Sequence, residues 1–462
     1  MQRKSMSCSP MILSLSLTCF SITAWGADVT QFRGSNGDGI VHEENVPSTF
    51  SETEKLMWKI DLPGKGWSSP VVADGKIWLT TAVEVVPDED EREKLLLASG
   101  DQPKQFSQKQ IAKNLELKVI QIDSESGQVE KVKDLFTIDR PDSIHKTNSY
   151  ASPTPFIDGD FLYCHFGTYG TVCLNRHDLS TVWQRTIPVV HSVGPGSSPF
   201  ICKDLIVLIC DGINRQFVIA LDKKSGETAW EVDRPKMDAS DGEQKKSYNT
   251  PVFVTDSQGR EQLICMSSQW IVSYVPETGE EIWRVRHGKG FSVVPRPVVQ
   301  NDIIFISTGF MKAELWAIKI DGSGDVTDSH VVWKESRNIP TKPSPIVVNE
   351  NIFVVNDTGI ATCFDSETGE TIWRERIGGN FSASPVLVDQ KLFLASQEGV
   401  VTILDSKNDF NVIAENQLSG QIMASPIVFE DSLVIRTDSS LYRFRENEKS
   451  PASGRVSRVD RP

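Results

Sequence analysis

The chain is poor in the groups from which most reactive sites are built. Its 462 residues carry eight cysteines, no two of them adjacent and none in a Cys-x-x-Cys pair. The seven histidines do not cluster with them, so a zinc site is not expected. No Gly-x-Ser-x-Gly elbow occurs, and none of His145, His165, His177, His191 and His287 shares a motif with a Ser or Cys nucleophile. A basic surplus is missing too: 48 Lys and Arg stand against 62 Asp and Glu, a formal charge of −14. Nucleic acid and anionic membrane both need a basic face, so neither is an expected partner. Outside the N-terminus no run of 18 apolar residues occurs, which excludes a transmembrane helix there.

What is present begins with the marks of export. Arg3 and Lys4 precede a short apolar core from Met11 to Thr23, and Ala24-Trp25-Gly26 places small residues for cleavage before Ala27. A buried N-terminal helix would instead be polar on one face. Cys19 raises lipidation, but Ser16-Leu17-Thr18 makes a poor lipobox. The expectation is a signal peptide over 1–26 and an unlipidated periplasmic or secreted chain. Six cysteines then remain: Cys164, Cys173, Cys202, Cys210, Cys265 and Cys363. Cys164 and Cys173 flank a tight turn at Gly167–Gly170. An oxidising compartment permits a bridge there, beside the alternative of buried thiols acting as small hydrophobes.

The strongest signal is internal repetition. Ser344 to Arg374 reads as a Ser-Pro start and four short strands separated by Asn, Asp and Gly turns, ending in Trp373. The leading proline recurs at Pro70, Pro153, Pro199, Pro251, Pro297, Pro345, Pro385 and Pro426. Most intervals are about 40 to 52 residues, the length of a four-stranded propeller blade. The residue before it is Ser69, Ser152, Ser198, Thr250, Arg296, Ser344, Ser384 or Ser425, small hydroxyls in all but one case, as a crowded inner strand would favour. A closing tryptophan stands at Trp183, Trp230, Trp283, Trp333 and Trp373, replaced near Lys131 and Ile413 in two units. The eighth unit stops after its third strand, Leu441 to Arg445. Leu56–Ile60, with Trp58, has the pattern of the missing fourth strand and is expected to close the ring, which removes two open edges. The predicted fold is an all-β, eight-bladed β-propeller over 56–446, with four-stranded antiparallel blades. An extension over 27–55 precedes it, and a polar tail over 447–462 follows.

ALDKKSGETAW (Ala220–Trp230) and CFDSETGETIW (Cys363–Trp373) resemble the tryptophan-docking motif of pyrroloquinoline-quinone (PQQ)-type repeats. QFRGSNGDG (Gln31–Gly39) is similar to the opening of secreted PQQ-like propellers. The resemblance implies that Trp58, Trp183, Trp230, Trp283, Trp333 and Trp373 dock between blades. It spans two kinds of function: quinoprotein dehydrogenases, and the scaffold propeller of the bacterial outer-membrane assembly machine. In a dehydrogenase it implies PQQ, a Ca²⁺ site of carboxylate and amide oxygens, and often adjacent cysteines, which this chain lacks. Asp211, Asp357 and Glu398 lie near the loops, but at turn positions where acids are common anyway. No resident cofactor or metal is therefore expected. PQQ and Ca²⁺ belong to the alternative of an alcohol or sugar oxidoreductase.

The remaining expectation is a binding surface for a protein or glycan partner at the loop end of the channel. His145, Lys146, Tyr150, Lys246, Tyr248, Arg296 and Lys342 fall in those loops, a cationic and aromatic set on an acidic chain. Arg296 either points into the channel towards an anion or pairs internally with Asp302 or Glu314. Tyr150 and Tyr248 stand three residues before their prolines and are expected at matching places. The first blade carries an insertion, Glu84–Asn114, whose Leu95-Leu96-Leu97 is expected to dock on the propeller or on a partner. The oligomeric state is not legible.

Overall fold

A computed structural model describes residues 28–288 and 290–446. The expected signal peptide, the Cys19 question and the polar tail lie outside the described residues. Eight sheets are arranged around a channel, and in the first seven the four antiparallel blade strands follow sequence order from the inside outwards. Blade 6 is typical: Ile346–Val348, Asn351–Val355, Ile360–Asp365 and Thr371–Arg376, all antiparallel. Its second and third strands are buried on both faces, and the outer strand is largely exposed. A sheet sandwiched between two others has no solvent side. Its central strands therefore read as continuous apolar runs and not as alternation.

The ring closes as expected. Leu56–Asp61 pairs antiparallel with Ser440–Arg445, Trp58 opposite Arg443, and completes blade 8. The last strand of one blade meets the next through its tryptophan. The indoles of Trp58, Trp183, Trp230 and Trp333 donate to the carbonyls of Ser124, Lys223, Pro276 and Ser366 in the following blade's turn. Each lies on a turn glycine (Gly127, Gly226, Gly279 or Gly369), where an added Cβ would come within 2.6–2.7 Å of the ring. These glycines also hold φ of 71–75°, so both backbone and contact demand them. Opposite Trp183, Trp230, Trp333 and Trp373, on the third strand, sits a small residue: Cys173, Ala220, Ala317 and Cys363 in turn. That spacing explains two of the cysteines.

Several expectations are corrected. Trp283 does not dock on the next blade's turn; it is fully buried and donates to Gln262 Oε1 of its own blade at 2.6 Å. Blade 5 has a longer turn, and its Gly324–Asp325 instead adds a fifth, parallel strand to the outer edge of blade 4. Trp373 docks, but it is only half-buried, its indole 3.5 Å from Lys407 O and packed edge-on against Phe410 where the other turns have glycine. All six described cysteines are free and buried. Cys164 pairs with Val172 and Cys173 with Tyr163, one register step apart, so their side chains leave opposite faces of the sheet. In the insertion, Glu89–Ala98 is helical, and of its three leucines only Leu96 is fully buried while Leu97 is exposed.

The repeat register also shifts in blade 2. The inner strands begin directly after the proline elsewhere, and here the strand is Phe156–Asp158, so the repeat proline is Pro155 and the preceding residue Thr154. The hydroxyls at this position form an inter-blade belt. The N–H of Ser69 donates to Thr154 Oγ1, Thr154 to Ser198, Ser198 to Thr250, Arg296 to Ser344, Ser344 to Ser384, and Ser384 to Ser425, at 2.9–3.3 Å. Ser69 Oγ closes the circle onto Ser425 O. A hydrogen-bond acceptor, and not small size alone, is what the position requires. Arg296 leaves the belt open between blades 4 and 5.

Candidate functional site

The N-terminal segment is part of the channel. Val29 bridges Val72 of blade 1, Thr30 O accepts from Ile157 N–H of blade 2, and Gly39 O accepts from Leu387 N–H of blade 7. Ile40–Val41 then runs parallel to the inner strand of blade 7. Arg296 pins this crossing chain: Nη1 donates to Phe32 O at 2.7 Å, Nη2 to Gln31 Oε1 at 3.0 Å and Nε to Pro251 O at 3.2 Å. Its guanidinium also lies 5.3 Å from the centre of the Phe200 ring. Burial, reinforced by neighbouring Arg33, lowers its pKa to about 9. Gly37 lies against it so closely that a Cβ would sit 2.2 Å from Nη1. Arg296 therefore points into the channel, but it holds the chain's own backbone and meets neither Asp302 nor Glu314. Those two carboxylates serve Ser257 N–H and the Trp316 indole.

Above this segment, with Phe32 in its floor, the channel opens into a hollow of about 640 Å³. Its wall is a second ring of the repeat, three residues before each proline. Trp67 and Tyr248 are its aromatic members, Val294 and Met423 its apolar ones, Lys342 its cation, and Ser152, Gly196 and Ser382 its small ones. All eight line the hollow. Phe291 and Phe310 add apolar surface at the rim, and Thr154, Ser198, Thr250, Ser384 and Ser425 of the hydroxyl belt supply polar groups within.

Of the residues expected here, His145, Lys246, Tyr248 and Lys342 line the hollow. Burial, then the fields of Lys109, Lys146, Lys342 and Lys246, lower the pKa of His145. Lys246 pairs with Glu243, and Lys342 lies 3.5 Å from Asp357. Tyr248 donates its hydroxyl to His191 O at 2.6 Å, leaving its ring edge to the hollow. Tyr150 is absent from the hollow. It is fully buried in the core between blades 1 and 2, its hydroxyl bound to Asp142 O and to Ala112 N–H. It stands five residues before the true repeat proline, so its match with Tyr248 was an artefact of the Pro153 register; Trp67 is the residue that matches. Lys146 extends to Ser107 O on the insertion.

The donor set does not fit calcium-bound PQQ. A hard cation needs six to eight oxygens, several of them carboxylate. Asp357 is the single carboxylate among the lining residues, and Thr341 N–H and Oγ1 occupy its oxygens at 2.7 and 2.8 Å. Asp211 is tied into a buried bidentate pair with Arg234, and Glu398 binds Asn380. Among the described residues no three His, Cys, Asp or Glu side chains converge as metal ligands.

The fold is shared with solved propellers of different activity. BamB from Moraxella catarrhalis has 14% identity and a TM-score of 0.54, over 85% of this chain and 99% of that one. A europium-containing methanol dehydrogenase has 9% identity and a TM-score of 0.62, over 91% and 98%. The quinohemoprotein alcohol dehydrogenase of Comamonas testosteroni has 10% identity and a TM-score of 0.50, over 92% and 82%. At these identities the likeness concerns the fold alone. No curated protein matches the chain by sequence. The profile of one family, described as outer membrane protein assembly factor BamB, matches residues 48–232, 118–309 and 267–412. By that coverage of most of its length, the chain belongs to the BamB family of PQQ-type propellers.

Proposed function

We propose that the protein is an exported, non-catalytic propeller that binds a protein partner at the mouth of its channel. The observation that carries this reading is the hollow itself. It is a preformed, largely apolar concavity with a few convergent polar groups, the usual construction of a recognition site. Its floor is closed by the chain's own segment, so a partner approaches from one side. Quinone-dependent oxidation would ask for a cluster of carboxylates, and the mouth offers lysines and hydroxyls in their place.

The test is site-specific photo-crosslinking in the native envelope. A benzophenone side chain at Phe310, on the rim, is expected to give a discrete protein adduct, and one at Ile372, on the exposed outer edge of blade 6, none. Equal labelling from both positions defeats the reading. So does stoichiometric PQQ carried through gel filtration with Ca²⁺ and followed by dye-linked alcohol or aldose oxidation.

A further inference from the structure

The rim of the mouth does not end at Phe310. A second hollow of about 390 Å³ begins on the other side of Phe291, which lines both, and Met311 and Lys312 form its outer wall. Phe291 and Phe310 make the saddle between the two, edge to face at 5.5 Å, with Phe310 N–H donating to Phe291 O at 2.8 Å. The two loops are pressed together there: a Cβ on Gly290 would sit 1.6 Å from Thr308 O. The saddle is thus a close-packed ridge and its apolar side chains are left to water, Phe310 49% and Met311 68% exposed. Large apolar side chains presented on a contiguous patch mark a contact surface.

Charge along this groove has the opposite sign to the chain. Lys342 and Lys312 line the two hollows together with Lys246, which is paired with Glu243; Asp357, 3.5 Å from Lys342, is the one lining carboxylate, so Lys312 is left in excess on a molecule of formal charge −14. Lys246 is itself only 2% exposed, its ammonium held by Glu243 and by Ser192 Oγ at 3.3 Å. The shape selects for an extended occupant, since two hollows joined over a ridge suit a strand of chain better than a compact molecule. The channel already accepts a segment of the protein's own chain, Val29–Val41, which crosses it in turns between a bridge to blade 1 and a short strand on blade 7.

We infer that the partner segment is an extended acidic peptide bearing an apolar side chain, which lies from the channel mouth across Phe291 and Phe310 into the outer hollow. The inference rests on the binding-module reading above and names what that module recognises. The apolar side chain enters between Trp67 and Phe310, and flanking carboxylates meet Lys342 on one side and Lys312 on the other. Complementary charge of this kind speeds encounter and selects the partner, while the apolar anchor holds it.

Labelled synthetic peptides titrated against the mature protein by fluorescence anisotropy test this. An acidic peptide with a central Phe is compared with its lysine-for-acid twin, with its Phe-to-Ser version, and with polygalacturonate as an anionic glycan. The expected result is saturable binding of the first alone, weakened by salt and by about tenfold or more in Phe310→Ser and in Lys342→Glu. Ile372→Ser should bind normally. Both test positions are at the surface, and unchanged melting confirms folding. Equal binding of the lysine twin, preference for the glycan, or indifference to both substitutions overturns the inference. If acidic peptides fail while crosslinking at Phe310 succeeds, the acidic specificity is wrong and the binding module stands. If crosslinking at the mouth fails as well, both fall.

Discussion

An indole laid on a neighbour's glycine joins blades that share no backbone ladder, so single tryptophans carry much of the cohesion of the ring. Trp230 is 8% exposed and donates to Pro276 O at 3.0 Å. Its replacement by alanine should cost about 3–5 kcal/mol in urea unfolding. Trp373→Ala should cost about half of that, because its ring is half-buried and its partner turn lacks the glycine platform. Equal losses would mean that the platform contributes nothing. The docking role was legible because Asp-x-x-x-Gly and the tryptophan recur together. Trp283 was misread because its partner, Gln262, lies in its own blade and leaves no trace in the repeat. The doublet Ser152-Pro153-Thr154-Pro155 hid the register of blade 2, since either proline continues the pattern. Only the strand that follows decides between them.

At the level of the element, the segment from Val29 to Val41 changes the meaning of Arg296. Read as a repeat position it looked like a free cation or one half of an ion pair. In the fold it is a clasp for three carbonyl-type acceptors. Sequence could not show this, because a backbone carbonyl has no residue identity to read. Arg296→Ser should restore an acceptor for the belt while freeing the segment. Hydrogen exchange should then rise over residues 29–41, with the blades losing about 1–3 kcal/mol at most. Unchanged protection of that segment would rule out the clasp. The mouth, by contrast, was partly legible: Lys342 and Tyr248 stand three residues before their prolines. Extending that offset to all eight units gives Trp67, Val294 and Met423, which charge and motif alone had passed over.

For the whole molecule, three buried histidines weaken the fold towards acid. Burial lowers His165 to about 3 and His191 and His287 to about 4, from an ordinary 6.5. Their folded pKa values lie below the unfolded one, so the unfolded chain binds more protons between about pH 6.5 and 4. Stability is full above 6.5 and falls as the pH drops through that window, by on the order of 2 kcal/mol per histidine at pH 4.5. The depressed carboxylates Glu52 and Asp123, held near 2 by hydrogen bonds from Ser419 and Lys59 and from Lys76 and Ser126, act only at lower pH. Urea midpoints at pH 7 and 4.5 should therefore differ, and less so in a His191→Gln variant. A midpoint that is flat over this range would contradict the burial of these rings. Closure of the ring adds a constraint of time. Trp58 waits for Arg443, and Ile40 for Leu387, partners that leave the ribosome hundreds of residues later. Ile40–Val41 and Leu56–Asp61 are thus among the last elements to find their places. Such long sequence separations make folding slow. Until the final blade arrives, the nascent molecule is an open arc with two exposed edges and an unfilled bore, the state in which it is most exposed to aggregation and proteolysis.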